Sequence, residues 1–148
     1  MNVSADYTSF VALIDDDVHS AHLLTRALLV QGASSIQHYG DAVSARARLQ
    51  TDLGKASPEQ PGLIIVDLKA HSGANLEFLI AVQQLMRASG VPVVVLAPRL
   101  GEQSRHALLE NGAAAVFVRH AERDAYHRVA ADIVELWALT QRPEAVGM

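Results

Sequence analysis

A chain of 148 residues, half of them hydrophobic and 19% charged, is long enough for one domain with its own core and too apolar for a disordered or fibrous protein. The formal net charge of −4 gives no electrostatic case for a direct nucleic-acid partner, and the absence of cysteine excludes disulfides and thiol chemistry. Met1 to Ser9 lacks the basic region and apolar run of a secretory signal, and no apolar run approaches the roughly 20 residues of a membrane span, so a cytoplasmic protein with no membrane partner is the default.

The first element, Phe10-Val11-Ala12-Leu13-Ile14, is a short apolar run with β-branched residues, which reads as a strand buried on both faces. It ends in Asp15, Asp16 and Asp17. Leu23, Leu24, Ala27 and Leu28 recur at helical spacing, with Gly32 as a stop signal. Ser35 to Tyr39 reads as a second strand, and Asp41 as the N-cap of a helix whose face carries Ala42, Ala45, Leu49 and Leu53. Gly54 to Gly62, with Pro58 and Pro61, is the clearest loop. Leu63-Ile64-Ile65-Val66 is the third buried strand, and it runs directly into Asp67. One helix is predicted over Leu76, Leu79, Ile80, Gln83 and Met86, closing near Gly90. Pro92 to Ala97 is the fourth strand, and Gly101 to Asn111 a helix capped by Gly112. Ala114 to Val118 is the fifth strand, followed by a helix with Ala125, Val129, Ile133, Leu136 and Trp137 on its apolar stripe. Arg142 to Met148 reads as a tail or the start of a linker.

Five strands, each followed by a helix, imply right-handed crossovers and a parallel sheet covered on both faces. The economical answer is a doubly wound α/β, flavodoxin-like sheet in the order 2-1-3-4-5, with one domain over residues 10–139 between a nine-residue extension and a short tail. In that order the first and third strands are neighbours, so Asp15, Asp16 and Asp67 crowd together at the carboxyl edge, with Arg119 at the end of the fifth strand. Carboxylates in one cleft repel each other unless a cation neutralises them, and a hard divalent cation such as Mg²⁺ is the natural solution. One carboxylate oxygen is then left as a nucleophile towards phosphorus.

The ordered set of Asp15-Asp16, Asp67 and a basic Arg119 at three strand ends resembles the receiver (CheY-like) domain of two-component response regulators, over roughly Phe10 to Leu139. The resemblance implies that Asp67 is the phosphoacceptor and Arg119 the phosphoryl counter-ion. It also implies Mg²⁺ held by Asp15, Asp16, Asp67 and the backbone carbonyl of Lys69. The partners it implies are a histidine kinase or histidine phosphotransfer protein upstream and a downstream protein or effector domain. They would meet the face of the fourth helix, fifth strand and fifth helix, 101–139, through which a homodimer could also form. By this reading the chain is a signalling domain, not an enzyme in its own right.

The sequence departs from the family in the part that transmits the signal. The Thr or Ser of the fourth strand end is Ala97, the Lys of the fifth is Arg119, and His120 stands where Pro is usual. After Asp67, His71 replaces a common Pro and Asn75 a common Gly. The switch aromatic is replaced by Val116, with Phe117 beside it. These changes favour an alternative, a phosphorylation-independent pseudo-receiver acting as an interaction or dimerisation module. On plainer readings Asp17 caps the first helix, Arg119 pairs with the acidic cluster, and Trp137 is core or a partner anchor. For His19, His71 and His120 one reading has them rim the site and make it pH-sensitive near neutrality, and the plainer one leaves them as surface residues; no metal-ligand His spacing or phosphate-binding glycine motif occurs.

Overall fold

The computed structural model describes residues 9–55, 60–120 and 122–141. Most of the N-terminal extension, the centre of the loop before the third strand and the tail therefore lie outside the described residues. The elements are β1 (Phe10–Asp15), α1 (Val18–Val30), β2 (Ile36–Gly40), α2 (Ala42–Asp52), β3 (Pro61–Asp67), α3 (Ala74–Ala81), α4 (Gln83–Ser89), β4 (Val93–Ala97), α5 (Glu102–Glu110), β5 (Ala115–Val118) and α6 (Arg123–Gln141). The five strands form one parallel sheet in the order β2-β1-β3-β4-β5, as the alternation of elements predicts.

Each strand divides its side chains between two cores. Ala12, Ile14, Ile64, Val66, Val93 and Val95 face one, with α2, α3 and α5. Val11, Leu13, Leu63, Ile65, Val94 and Leu96 face the other, against α1 and α6. The period of two puts successive residues on opposite faces, which is why these strands are continuously apolar rather than alternating. Burying each such Leu, Ile or Val contributes about 1.5–3 kcal/mol.

The helix starts follow local chemistry. Asp17 accepts a hydrogen bond from His19 N at 3.0 Å, and Asp41 accepts one from Ser44 N at 2.9 Å. Both are the expected N-caps, satisfying amides that the first helical turn leaves free. At the other end of α4, Gly90 takes φ +73°, the left-handed conformation that glycine enters without a Cβ penalty.

Two boundaries differ from expectation. β3 begins at Pro61, inside the expected loop, because Pro61 pairs with Phe10 as a first strand residue, where no ladder N–H is needed. Gly62 is enclosed there, and a Cβ on it would collide with the Ser9 side chain and press on the Trp137 ring. The single helix expected after β3 is two, interrupted at Val82 with φ −106° and ψ 10°. Hydrogen bonds from Val82 N to Phe78 O and from Met86 N to Val82 O still cross the break. The interruption is thus a one-residue irregularity at a β-branched side chain buried in the core.

Candidate functional site at the carboxyl edge of the sheet

β1 and β3 end side by side, with Asp15 directly across from Asp67 in the parallel register. Both are fully buried. Asp15 is saturated with donors: Asp17 N at 2.9 Å and Lys69 Nζ at 2.7 Å on Oδ1, and Ser20 Oγ at 2.7 Å on Oδ2. His38 Nε2 lies 2.7 Å from the Asp15 main-chain oxygen, and since a carbonyl only accepts, that ring nitrogen carries a proton. Asp16 turns to the loop after β3, where its carboxylate accepts from Lys69 N at 2.9 and 3.1 Å and from Ala70 N at 3.0 Å.

Asp67 sits between two cations. Arg119 Nε donates to Oδ1 at 2.7 Å. The same guanidinium reaches the carbonyls of Leu68 at 3.4 Å and Leu96 at 3.3 Å through Nη2, which fixes its plane. On the other side Lys69 Nζ lies 3.1 Å from Oδ2 and donates to the Asp67 main-chain oxygen at 3.0 Å. Although Oδ2 is within ion-pair distance of the ammonium, it accepts no hydrogen bond, so that contact is electrostatic rather than directional. Burial pushes the Asp67 carboxyl above its ordinary value. Lys69 and Arg119 pull it back only in part, and Asp15 adds to the rise.

Asn75, in the first turn of α3, ties the loop to the sheet. Its Oδ1 accepts from Leu68 N at 2.8 Å and its Nδ2 donates to Leu96 O at 3.1 Å. The sequence marks Asn75 only as a departure from a usual glycine and gives no hint of this bridge. Beside it a cleft of about 650 Å³ opens between the loop and α5, lined by Lys69, His71, Ala97, Leu100, Ser104 and Arg119. Ala97 is buried, its methyl offering no donor, and its carbonyl accepts from Arg119 N at 2.6 Å. Val116 belongs to the core on Ala97's side of the sheet, whereas Phe117 packs on the opposite face with α1 and α6. The neighbouring aromatic thus cannot stand in for one at Val116. His19 and His120 are exposed, and His71 is exposed 3.3 Å from Glu77. Trp137 is half-buried against the α1–α6 core.

The structure thus gathers Asp15, Asp16, Lys69, Asp67 and Arg119 at one edge, as the strand order requires. What departs from expectation is the role of Lys69. Its ammonium, not merely its backbone, enters the site. A divalent cation does not fit this arrangement: Nζ stands against Asp15 Oδ1 and Asp67 Oδ2, and both Asp16 oxygens serve loop amides. Among the described residues no group of three acidic or histidine side chains is placed to hold a metal ion.

The architecture, a five-stranded parallel sheet in the order 2-1-3-4-5 with helices on both faces, is the CheY-like flavodoxin fold. The phosphorylated cyanobacterial phytochrome response regulator RcpA superposes with a TM-score of 0.72 at 20% identity, over 89% of this chain and 95% of that one. The Mn(2+)-bound form of response regulator Rcp1 gives 0.70 at 21% identity, over 87% and 94%. In sequence, the chain is 33% identical over 98 residues to the KDP operon transcriptional regulatory protein KdpE of Escherichia coli (strain K12), matching 61% of this chain and 42% of that protein. It therefore spans less than half the length of that relative. No family model matches.

Proposed function

We propose that the chain is a receiver domain of a two-component system, accepting a phosphoryl group on Asp67 from a histidine kinase or histidine phosphotransfer protein in the cytoplasm. The observation that carries the reading is the state of Asp67: a buried strand-end carboxylate flanked by two cations, with Oδ2 free of any hydrogen bond. A carboxylate held this way is oriented yet keeps a lone pair for attack. In the transfer, Oδ2 forms the O–P bond while the P–N bond of the donor phosphohistidine breaks. The leaving imidazole keeps the bonding pair and takes a proton from solvent. Arg119 and Lys69 are placed to stabilise the negative charge on the transferring oxygens, and the Arg119 fork suits a phosphoryl group as well as a carboxylate. Output would pass through a protein–protein surface built from α5, β5 and α6, taken up by a downstream protein, an effector domain or a second copy.

A specific observation supports a second reading, the phosphorylation-independent interaction module. Ala97 offers no hydroxyl to a phosphoryl group, and Phe117 faces away from the cleft. Intact mass after incubation with acetyl phosphate separates the two. A phosphoryl adduct on the wild type that Asp67→Ala lacks supports the receiver. No adduct from acetyl phosphate or from a phosphorylated histidine donor supports the module.

A further inference from the structure

Lys69 is the residue whose behaviour neither the strand pattern nor the receiver resemblance anticipates. Two positions beyond Asp67, it folds back so that its ammonium meets three oxygens of two buried aspartates: Asp15 Oδ1 at 2.7 Å, Asp67 Oδ2 at 3.1 Å and the Asp67 carbonyl at 3.0 Å. The side chain is only 22% exposed. Two fully buried carboxylates on adjacent strands need positive charge between them, since their mutual repulsion in a low-dielectric interior is severe. Of the two carboxylates Arg119 pairs with Asp67 alone, and no other cationic side chain among the described residues pairs with Asp15. The loop is shaped to deliver the ammonium. Asp16 clamps the amides of Lys69 and Ala70, and Asn75 holds Leu68 N, so the lysine stem starts from a fixed point.

We propose that the Lys69 ammonium is the resident cation of this acidic site, occupying the place between Asp15 and Asp67 that a divalent metal would otherwise take, so that the site is charge-balanced without Mg²⁺. Three consequences follow from the geometry. The wild-type chain binds divalent cations weakly or not at all, because entry requires expelling a tethered competitor whose effective concentration is fixed by the chain. Removing the charge at position 69 leaves Asp15 without a cation and Asp67 with Arg119 alone, and opens the site to metal. Keeping the charge with arginine keeps metal out. The inference rests on the site geometry and borrows from the receiver reading only the location of the cation.

The test is Mn²⁺ binding, followed by electron paramagnetic resonance of the free ion, and the Mg²⁺-induced shift in melting temperature, on the full chain. Wild type and Lys69→Arg are expected to show no resolved binding and no Mg²⁺ shift. Lys69→Gln, with an unchanged far-UV circular dichroism spectrum, is expected to bind Mn²⁺ at least about tenfold more tightly and to gain a Mg²⁺-dependent rise in melting temperature. Resolved Mn²⁺ binding by the wild type together with a Mg²⁺-induced rise in its melting temperature overturns the proposal, and that arm needs no variant to fold. A folded Lys69→Gln that binds no better than wild type overturns it equally. The readout is metal occupancy, whereas the receiver reading stands or falls on a covalent adduct at Asp67. A chain that takes phosphoryl but admits Mn²⁺ freely keeps the second and loses the first.

Discussion

Two buried aspartates in this chain, Asp67 and Asp52, each have two cationic side chains within reach, and their acidities move in opposite directions. Asp52, the last residue of α2, is 8% exposed. Burial works to raise it, but a hydrogen bond from the Tyr39 hydroxyl, the Lys55 ammonium at 3.2 Å and Arg48 at 3.8 Å together hold it below its ordinary value. Arg48 also lies over the Tyr39 ring, 4.0 Å from its centre, closing the cluster. Asp67 has closer cations yet is pushed up, because it is entirely enclosed, shares its space with Asp15, and leaves one oxygen without a donor. The difference teaches that nearby charge alone does not settle a buried carboxylate. A full set of directed donors and a solvent-facing edge do, and the aspartate with a donor on one oxygen only, Asp67, is the one whose pKa is raised.

The comparison can be broken at several points. The largest effect is expected from Arg119→Ala, which strips from the Asp67 carboxylate its only hydrogen-bond donor among the described residues. Removing one partner of a buried pair costs about 3 kcal/mol, towards the low end of such effects because Lys69 remains. Since burial already raises the folded-state pKa of Asp67, its ionised form weakens the fold as pH rises through that range. The penalty in Arg119→Ala should therefore shrink as pH falls and Asp67 takes up a proton. Urea unfolding across the acid range checks both size and slope, and a penalty that grows on acidification contradicts the account.

Tyr39→Phe comes next, at about 1–3 kcal/mol, because it leaves the buried Asp52 oxygen short of a donor. Burial, followed by its hydrogen bond to Asp52, also raises the Tyr39 hydroxyl above its ordinary value of 10.0. Ionised tyrosine is thus disfavoured in the folded state, and the wild type should lose stability as pH rises beyond that value. The phenylalanine variant should lack this alkaline limb in thermal melts. Lys55→Gln sits at the bottom of the order: its side chain is 44% exposed, so its pair with Asp52 is worth about 0.5 kcal/mol or less, screened by salt. A loss as large as that of Tyr39→Phe would mean that charge rather than the directed hydroxyl governs Asp52.

What could be read from the sequence follows from how local the cause is. Ile64 to Val66 running into Asp67, and the same pattern from Phe10 to Asp15, place strand ends by apolar content alone. Alternation with helices then fixes the sheet order and brings Asp15 beside Asp67. Asp17 and Asp41 announce their caps because capping spans only two or three residues. The direction of the Lys69 side chain was not legible. A four-carbon stem can point to solvent or into a site, and only the three-dimensional crowding of carboxylates decides. The Tyr39–Asp52 pair joins two elements through packing, and Asn75 bridges the loop to β4, so neither leaves a periodic signal. The break at Val82 escaped for a related reason, since neither glycine nor proline marks it.

The most direct measurement is intact mass of the wild-type chain after exposure to acetyl phosphate in EDTA, beside the same reaction in Mg²⁺ and beside Asp67→Asn. A phosphoryl adduct that forms in EDTA and is lost in Asp67→Asn is the predicted result, because Asp67 then reacts with the cations the chain itself carries. An adduct that appears only with Mg²⁺ would contradict the role given to Lys69, and no adduct under either condition would contradict the receiver reading of Asp67.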